Sequence, residues 1–486
     1  METKLKLLQI PVMLIFGFFV TKLVTLQILH CDETSHTYSY IRTKRTITPI
    51  RGELFDRNLR LLAMSNHNHR IYPAYELTCH ITGIANIYNE GLAGLEYQFD
   101  SLLRGHPYQR TYIVSDAGRL YPDPKANLTT LTFTPSVVLT IDLDLQQILE
   151  DELIRRVHET SALRGWGIIL DPWTGEILAM AVYPQDGHHN PIIQEQWEPG
   201  SVFKLVPLVA YLEHYNVNYD STFITCDTVR IANKTFKDPV HHPPYTFKEV
   251  VWHSSNVGFI KMGCSLDPYT LYLEAKKFGF GTPTGIEFPA EAHGYILHPS
   301  DMTPVDIATF SFGQGVSVTT LQLALAYAAI ANGGYLLQPT LVRGIIKNGQ
   351  LHVLHRPTII RQVTTPEIAA KVAALLEGVF DHGTAVRAKI PGLRIAGKTG
   401  TAEKPIPGGY AKERKIFTLA AFLPLPEPEL VIVISLDEAK GGQFAGTILA
   451  PLLKRIILRI LSLEDYRHLW RQYAIEPAIA RGEQQY

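Results

Sequence analysis

The segment Glu198–Lys204, of sequence Glu-Pro-Gly-Ser-Val-Phe-Lys, places a serine hydroxyl and a lysine amine three residues apart ahead of an apolar run. Pro199 and Gly200 favour a tight turn into a helix, so Ser201 and Lys204 are predicted to share one face of its first turn. A serine becomes a good nucleophile when a base removes its proton, and burial can turn a lysine into that base. The segment therefore predicts a serine nucleophile, but Ser-x-x-Lys also arises by chance and needs support from elsewhere.

A Ser-x-Asn triplet, Ser254-Ser255-Asn256, follows about fifty residues later. The Ser254 hydroxyl can relay a proton between the nucleophile, its base and a leaving amine. The Asn256 amide can hold the Lys204 ammonium or a substrate amide. Taken alone, the triplet is equally compatible with an ordinary loop.

A third motif, Lys398-Thr399-Gly400-Thr401, lies in a strand-like segment and also occurs once. Lys398 and Thr399 can bind a substrate carboxylate, and Gly400 lets substrate lie close to the strand. Each motif separately has a structural explanation. The three together, in this order, indicate a serine acyltransferase site with catalytic Ser201, Lys204, Ser254 and Asn256 and substrate-binding Lys398, Thr399, Gly400 and Thr401.

Composition narrows the class of protein. The chain has 486 residues, 46% hydrophobic and 19% charged, which describes a globular protein of two to four domains. The net charge of −1 gives no indication of nucleic-acid binding. Its four cysteines are too few for a disulfide framework, and Cys226 and Cys264 are read as free thiols, with pairing as the alternative. The paired histidines have no accompanying ligand cluster, so we expect no metal and no cofactor.

The N-terminus is predicted to be an uncleaved membrane anchor. Leu7 to Thr21 is apolar apart from one glutamine, Leu23 to Leu29 continues it, and Lys4 and Lys6 precede it. The positive-inside rule places the N-terminus in the cytoplasm and the remainder outside, as a single-pass protein. A cleaved signal peptide is the rival reading, but no small-x-small cleavage site follows the run.

Hydrophobic periodicity predicts an α+β fold. Residues 31–139 are β-rich and loop-rich, with strand-like runs at 70–72 and 131–133 and one amphipathic helix around 91–104. From Thr140 the order becomes helix (143–158), two strands (167–170 and 177–182), a helical middle with an Ala-rich helix at 320–332, three strands (393–402, 416–423 and 430–436) and a closing helix at 444–463. This order suits a five-stranded antiparallel sheet flanked by helices. The predicted domains are an anchor at 1–30, an N-terminal domain at 31–139, a catalytic domain at 140–465 and a tail at 466–486.

The three motifs closely resemble those of class B penicillin-binding proteins, the monofunctional peptidoglycan DD-transpeptidases, whose catalytic domain shares the serine β-lactamase-like fold. The resemblance covers roughly residues 5–463 and includes Arg51–Asn58 and Gly94–Gly105, similar to motifs of that family's pedestal domain, and Phe312–Gly315 and Ala331–Gly334 in the catalytic domain. Leu59 stands where the family has glycine, which predicts a different turn. The resemblance implies that residues 31–139 are a dimerisation-type pedestal and that the backbone N–H groups of Ser201 and Thr401 form an oxyanion hole.

Within that family, Ser-Ser-Asn-Val-Gly at 254–258 is more similar to the division-type group, with FtsI, penicillin-binding protein 3 and SpoVD, than to elongation-type penicillin-binding protein 2. The resemblance implies stem peptides of lipid II-derived glycan strands as substrate, β-lactams as inhibitors, and a SEDS-type glycan polymerase and other division proteins as partners. It implies a bacterial inner-membrane protein, with the catalytic domain outside the cytoplasm. The elongation-type enzyme, a serine β-lactamase, a membrane β-lactam sensor and a non-catalytic division scaffold remain as alternatives.

Overall fold

The structure, a computed structural model, describes residues 2–25, 41–66, 69–115, 117–123 and 134–471. These residues form two compact units, one comprising Met1–Pro49 and His106–Thr132 and the other comprising Ile50–Gly105 and Phe133–Tyr486. The domain boundaries drawn from the sequence stay predictions, as does the tail, most of which lies outside the described residues.

The first unit contains one long helix and one small sheet. The helix runs from Glu2 to Val24. The sheet is antiparallel, with Tyr108–Val114 between Ile41–Ile47 and Leu120–Pro122. Among the described residues, no helix is both long enough and apolar enough to cross a bilayer. The predicted continuation of the apolar run to Leu29, and Cys31 after it, lie outside the described residues.

A five-stranded antiparallel sheet is the centre of the second unit, as the order of strand-like segments predicted. Its strands, from one edge to the other, are Ala396–Ile406, Gly409–Leu423, Leu430–Asp437, Arg164–Leu170 and Ile177–Tyr183. The strand Leu430–Asp437 is buried along its whole length, because helices cover both faces of the sheet.

The alternation of side chains along one strand shows which helix covers which face. A Cβ at Gly165 would touch Leu153 and Val157 of the helix Leu143–Thr160. The next residue, Trp166, faces the other way and donates its indole N–H to Thr320, at the start of the helix Thr320–Ala331. Successive residues of a strand point to opposite faces, so the sheet is sandwiched between these two helices.

A second, six-stranded sheet was not predicted. Its order is Gln350–Val353, Val342–Lys347, Ser136–Leu139, Leu54–Phe55, Leu61–Asn66 and His69–Ile71, with one parallel pair in the centre. The strand Ser136–Leu139 pairs with Leu54–Phe55 on one side and with Val342–Lys347 on the other. The sheet thus joins segments that are about 290 residues apart in the chain (Leu54 and Val342). Four two-stranded sheets complete the unit: Thr222–Ile224 with Tyr245–Thr246, Thr228–Ile231 with Lys234–Lys237, Tyr295–Ile296 with Val316–Ser317, and Tyr335–Leu337 with Ile359–Gln362.

The remaining helices of this unit lie around the two large sheets. The α-helices are Tyr75–Thr82, Gly94–Gln98, Asp100–Arg104, Pro191–Gln194, Leu205–His214, Phe247–Trp252, Asn256–Cys264, Pro268–Lys277, Pro304–Phe310, Pro366–Asp381, Ala445–Ile448, Ala450–Ser462 and His468–Arg471. Short 3₁₀-helices occupy Gly200–Lys204, Pro299–Asp301, Val386–Ala388 and Glu464–Tyr466.

Two predicted helices are each divided in two. The closing helix expected at 444–463 stops at Ile448 and restarts at Ala450, with a proline in the first turn of the second part. Proline lacks the N–H needed inside a helix but fits its first turn. The helix expected around 91–104 is interrupted at Phe99. The strand expected at 70–72 is His69–Ile71, and the one at 131–133 lies outside the described residues.

The turn at Leu59 keeps the conformation that glycine favours. Leu59 has φ +62° and donates its backbone N–H to Asp56 O at 3.1 Å. The leucine adopts the left-handed backbone despite its Cβ, and the expected difference from the family's turn stays a prediction. Its side chain is half exposed, so burial gives little compensation for this strain.

The charged residues of the Arg51–Asn58 motif are paired inside the second unit. Buried Arg51 binds Glu96 at 2.6 Å and Asp100 at 2.7 Å, and Asp56, with no exposed surface, binds Arg60 at 2.7 Å. The cluster is therefore an internal ion-pair network rather than a free partner surface.

Candidate active site

The predicted nucleophile lies on a 3₁₀ turn, Gly200–Lys204, that leads into the α-helix Leu205–His214. The sequence predicted an α-helical first turn. In a 3₁₀ turn, side chains at positions i and i+3 eclipse one another, which aligns Ser201 and Lys204 more closely than an α-turn does. Ser201 is half-buried, whereas Lys204 is only 1% exposed.

Two glycines allow the backbone to close around this turn. Gly200 N donates to Gly313 O at 3.0 Å, and a Cβ on Gly313 would come within 2.0 Å of Gly200 O. On the other side, a Cβ on Gly400 would lie 3.0 Å from both Pro199 O and Val202 N. The Phe-Gly-Gln-Gly segment and the Lys-Thr-Gly strand therefore hold the turn between them, and side chains at these positions would push them apart.

The Lys204 amine contacts both functional residues of the Ser-x-Asn motif. Its Nζ donates to Ser254 O at 2.8 Å and to Asn256 Oδ1 at 2.7 Å. Ser254 Oγ lies 3.1 Å from Nζ, and here the hydroxyl is also able to donate. These partners satisfy a neutral amine, which has two N–H groups and one lone pair, as well as an ammonium, because a hydroxyl both donates and accepts.

Burial favours the neutral form of this amine. Desolvation lowers the pKa of Lys204 well below its usual range, nearby Lys398 lowers it further, and Asp238 partly opposes the two effects. An uncharged lysine is what a general base requires.

The Lys-Thr-Gly motif lies on the edge strand of the five-stranded sheet. Lys398 is 1% exposed, and burial lowers its pKa to about 7. Thr399 Oγ1 is 2.6 Å from Thr384 Oγ1, and Thr401 Oγ1 accepts from Ala445 N at 3.1 Å. Thr384 had no signal in the sequence, because an isolated threonine between helices resembles any other loop residue.

An open cleft of about 530 Å³ brings the predicted residues together. Its wall includes Ser201, Ser254, Asn256, Thr399 and Thr401. The two buried lysines, Lys204 and Lys398, belong to the same sequence motifs as these residues. All eight residues predicted from the sequence therefore belong to one site or its immediate support, although their individual roles stay predictions.

The Ser-x-Asn motif has a buried support that the sequence analysis missed. Asp238 and His242 are both buried next to Ser255. Asp238 contacts Ser255 directly, and His242 contacts Asp238. The histidine pair at 241–242 was interpreted as loop residues, and only three-dimensional contacts distinguish His242 from its exposed neighbour. In the parts of the chain that the structure describes, no group of three or more His, Cys, Asp or Glu is arranged to hold a metal ion.

Cys226 and Cys264 are both exposed free thiols in this structure. Cys79 is also free, but buried.

Comparison with known proteins gives a family match over the catalytic region. Residues 165–458 match the penicillin binding protein transpeptidase domain. The chain is 33% identical to stage V sporulation protein D of Bacillus subtilis over 80% of its own length and 63% of that protein. It is 29% identical to peptidoglycan D,D-transpeptidase FtsI of Escherichia coli K12, over 87% of its own length and 73% of FtsI. The chain thus spans less than two thirds of the sporulation protein.

A solved structure agrees with these matches. Penicillin binding protein 3 of Mycobacterium tuberculosis, complexed with aztreonam, superposes with a TM-score of 0.76 and 28% identity, covering 87% of this chain and 97% of that one. The chain belongs to the penicillin-binding protein transpeptidase family, in its class B, division-type branch.

Proposed function

We propose that this protein is a peptidoglycan DD-transpeptidase that cross-links stem peptides through an acyl-enzyme on Ser201. The observation that carries the proposal is the desolvated Lys204 amine, held by Ser254 and Asn256 one turn from the serine. The relatives named as D,D-transpeptidases support the same reaction.

In the acylation step, Lys204 takes the proton of Ser201 as Oγ attacks the carbonyl of the penultimate D-Ala. The C–O bond forms and the peptide C–N bond breaks. Ser254 passes the proton to the departing D-Ala amine. The backbone N–H groups of Ser201 and Thr401 would stabilise the oxyanion. Loss of one donor from such a pair typically lowers the rate by about 10²–10³-fold.

In the transfer step, the amine of a neighbouring stem peptide attacks the acyl-enzyme. Its proton returns through Ser254 and Lys204 to Ser201 Oγ, and the new peptide bond is the cross-link. Lys398 and Thr399 hold the substrate carboxylate during both steps. A β-lactam that mimics D-Ala-D-Ala acylates the same serine and is released slowly, and the aztreonam complex of the Mycobacterium protein supports such binding here.

Mass spectrometry after treatment with a fluorescent penicillin tests this assignment. The adduct is expected on the peptide that contains Ser201, and Ser201→Ala should abolish it. An adduct on another peptide would exclude Ser201 as the nucleophile. Rapid turnover of the drug would exclude the transpeptidase assignment and favour a serine β-lactamase.

Septal wall synthesis with a SEDS-type polymerase and other division proteins is the cellular role we favour, because the similar proteins include FtsI and a sporulation relative. Depletion should give filaments or enlarged undivided cells. Rounded cells that still divide would support the elongation-type role.

We propose the apolar run from Leu7 to Leu29, whose first part lies in the helix Glu2–Val24, as a single membrane anchor with the N-terminus inside. Apolar side chains from Val12 to Val24 are exposed along it. Protease added to spheroplasts should digest the catalytic domain and leave a short membrane-bound fragment. A mature protein that begins near residue 30 would contradict the anchor.

A further inference from the structure

Asp238 lies behind the Ser-x-Asn motif and collects three hydrogen bonds. Its Oδ2 accepts from Ser255 Oγ at 2.6 Å and from His242 Nε2 at 2.8 Å, and its Oδ1 accepts from Val257 N at 3.0 Å. The carboxylate is 2% exposed and the imidazole is 4% exposed. A buried carboxylate needs this many donors to offset the loss of water.

Further contacts hold the cluster on both sides. The two ring nitrogens of His242 face Asp238 Oδ2 at 2.8 Å and Pro243 O at 2.6 Å. Ser255 Oγ accepts from Gly258 N at 2.9 Å, so its own hydrogen goes to Asp238. Hydrogen bonds therefore tie the pair both to its own loop and to the start of the helix Asn256–Cys264.

The same residues fix the backbone on both sides of Ser255. Ser255 is the N-cap of the helix that starts at Asn256. Ser254, just before it, has φ +60°, a left-handed conformation that costs about 1–2 kcal/mol for a residue with a Cβ. Such a conformation persists only when neighbouring contacts hold it in place.

We infer that Asp238 and His242 are positioning residues, which act through Ser255 and Val257 to hold Ser254 and Asn256 against the Lys204 amine. This inference rests on the proposed function, because it concerns how quickly Ser201 is acylated. The pair touches neither Ser201 nor the Lys-Thr-Gly strand in the described contacts. The pair therefore acts on the proton relay in two ways, by aligning Ser254 and Asn256 and through the charge of Asp238 on Lys204.

Asp238→Ala and Asp238→Asn in the full-length protein separate alignment from charge. The asparagine retains Oδ1 for Val257 N, and its amide can donate to Ser255 Oγ and to a neutral His242. The alanine loses all three contacts. The limiting acylation rate by a fluorescent penicillin and the dissociation constant of the initial complex are measured separately, together with the melting temperature.

We expect the limiting rate to fall by about 10²-fold in Asp238→Ala, the typical effect of misplacing a catalytic group by 1 Å, with a much smaller loss in Asp238→Asn. A parent-like rate in Asp238→Ala, or equal losses in the two variants, would overturn the inference. If Asp238→Ala does not fold, His242→Phe replaces it as the test. The phenylalanine keeps a ring that can stack on Tyr245, as His242 does at 3.6 Å, but it loses both ring nitrogens. A parent-like rate in this variant would also overturn the inference.

The pH profile provides a readout that a purely structural role would not move. The charges acting on Lys204 are those of Lys398 and Asp238. Removing the negative charge in Asp238→Asn disfavours the ammonium, so the acid limb of the acylation profile should move to lower pH. An unmoved limb would mean that the pair does not act on the Lys204 environment.

An exposed pair in the same loop supplies the matched control. His241 binds Asp227 at 2.8 Å, but the histidine side chain is 89% exposed. Asp227→Asn and His241→Gln should leave the acylation rate unchanged, and a loss equal to that of Asp238→Ala would refute a specific role for the buried pair. A parent protein that is not acylated at all would instead refute the proposed function.

Discussion

Replacing Lys398 by methionine should stabilise the folded protein while weakening recognition of a substrate carboxylate. The lysine is fully buried beside Lys204, and burial lowers its pKa from 10.5 to about 7. Methionine has a similar length, no charge and enough flexibility to fill the same space. The site thus holds a cation at the expense of stability.

The magnitude follows from linkage. Between pH 7 and pH 10.5 the unfolded chain keeps the lysine proton and the folded protein has lost it, so stability rises with pH across this window. Below pH 7 the full cost is present, about 5 kcal/mol at roughly 1.4 kcal/mol per pH unit, and at pH 9 about 2 kcal/mol remains. Methionine loses the hydrogen bond from Nζ to Thr399 O, worth about 1 kcal/mol.

The net gain is then about 4 kcal/mol at pH 6 and about 1 kcal/mol at pH 9. For a unit of roughly 400 residues this corresponds to a rise in Tm of about 5 °C at pH 6 and about 1 °C at pH 9. Thermal denaturation followed by circular dichroism at both pH values measures the difference. Acylation by a β-lactam carrying a carboxylate should slow in the same variant.

Lys412→Met is the control, because Lys412 is exposed on a neighbouring strand of the same sheet. It should show no pH-dependent change in Tm. A Lys398→Met variant that is less stable than the parent at pH 6, or whose advantage does not shrink by pH 9, would refute the reasoning.

Four further changes test separate parts of the structure. Lys204→Arg keeps a charge but cannot act as a base, so it should abolish labelling by penicillin while circular dichroism stays native; retained labelling would exclude Lys204 as the base. Gly400→Ala should slow acylation, because its Cβ would lie 3.0 Å from Pro199 O and Val202 N, and a parent-like rate would mean that the strand yields freely. Leu59→Gly should raise the free energy of unfolding by about 1 kcal/mol in a denaturant titration by relieving a left-handed leucine, and a loss would show that its side chain contributes more than the strain costs. Asp56→Ala should lower the Tm of the protein by removing one carboxylate partner of Arg60 and the acceptor of three backbone N–H groups; an unchanged Tm would contradict an internal role.

The sequence was sufficient for the five-stranded sheet because each strand and helix there has a local hydrophobic pattern. Strand Leu430–Asp437 begins where its apolar run begins, and helix Leu143–Thr160 begins at its capping residue Asp142. The six-stranded sheet lacks such a signal. Its central strands are as short as Leu54–Phe55, and what defines them is pairing with a distant segment.

The same distinction separates the site residues that were predicted from those that were missed. Ser201 and Lys204 are recognisable because their spacing is local and their chemistry is unusual. Asp238 and Thr384 act through contacts with residues 15 or more positions away, Ser255 and Thr399. An aspartate after a hairpin and a threonine after a helix have many ordinary explanations, so the sequence could not single them out.

The geometry also explains why glycines accompany the catalytic motifs. Two lysines with lowered pKa values disfavour the folded state, and the backbone must hold them close to the serine regardless. The close approach of Gly313 to Gly200, and of Gly400 to the turn, leaves no space for side chains there. Backbone contacts of this kind cannot relax by a change of rotamer, whereas side-chain contacts can. The turn Gly200–Lys204 is therefore fixed by the backbone of its neighbours. This allows the amines of Lys204 and Lys398 to stay buried next to an open cleft.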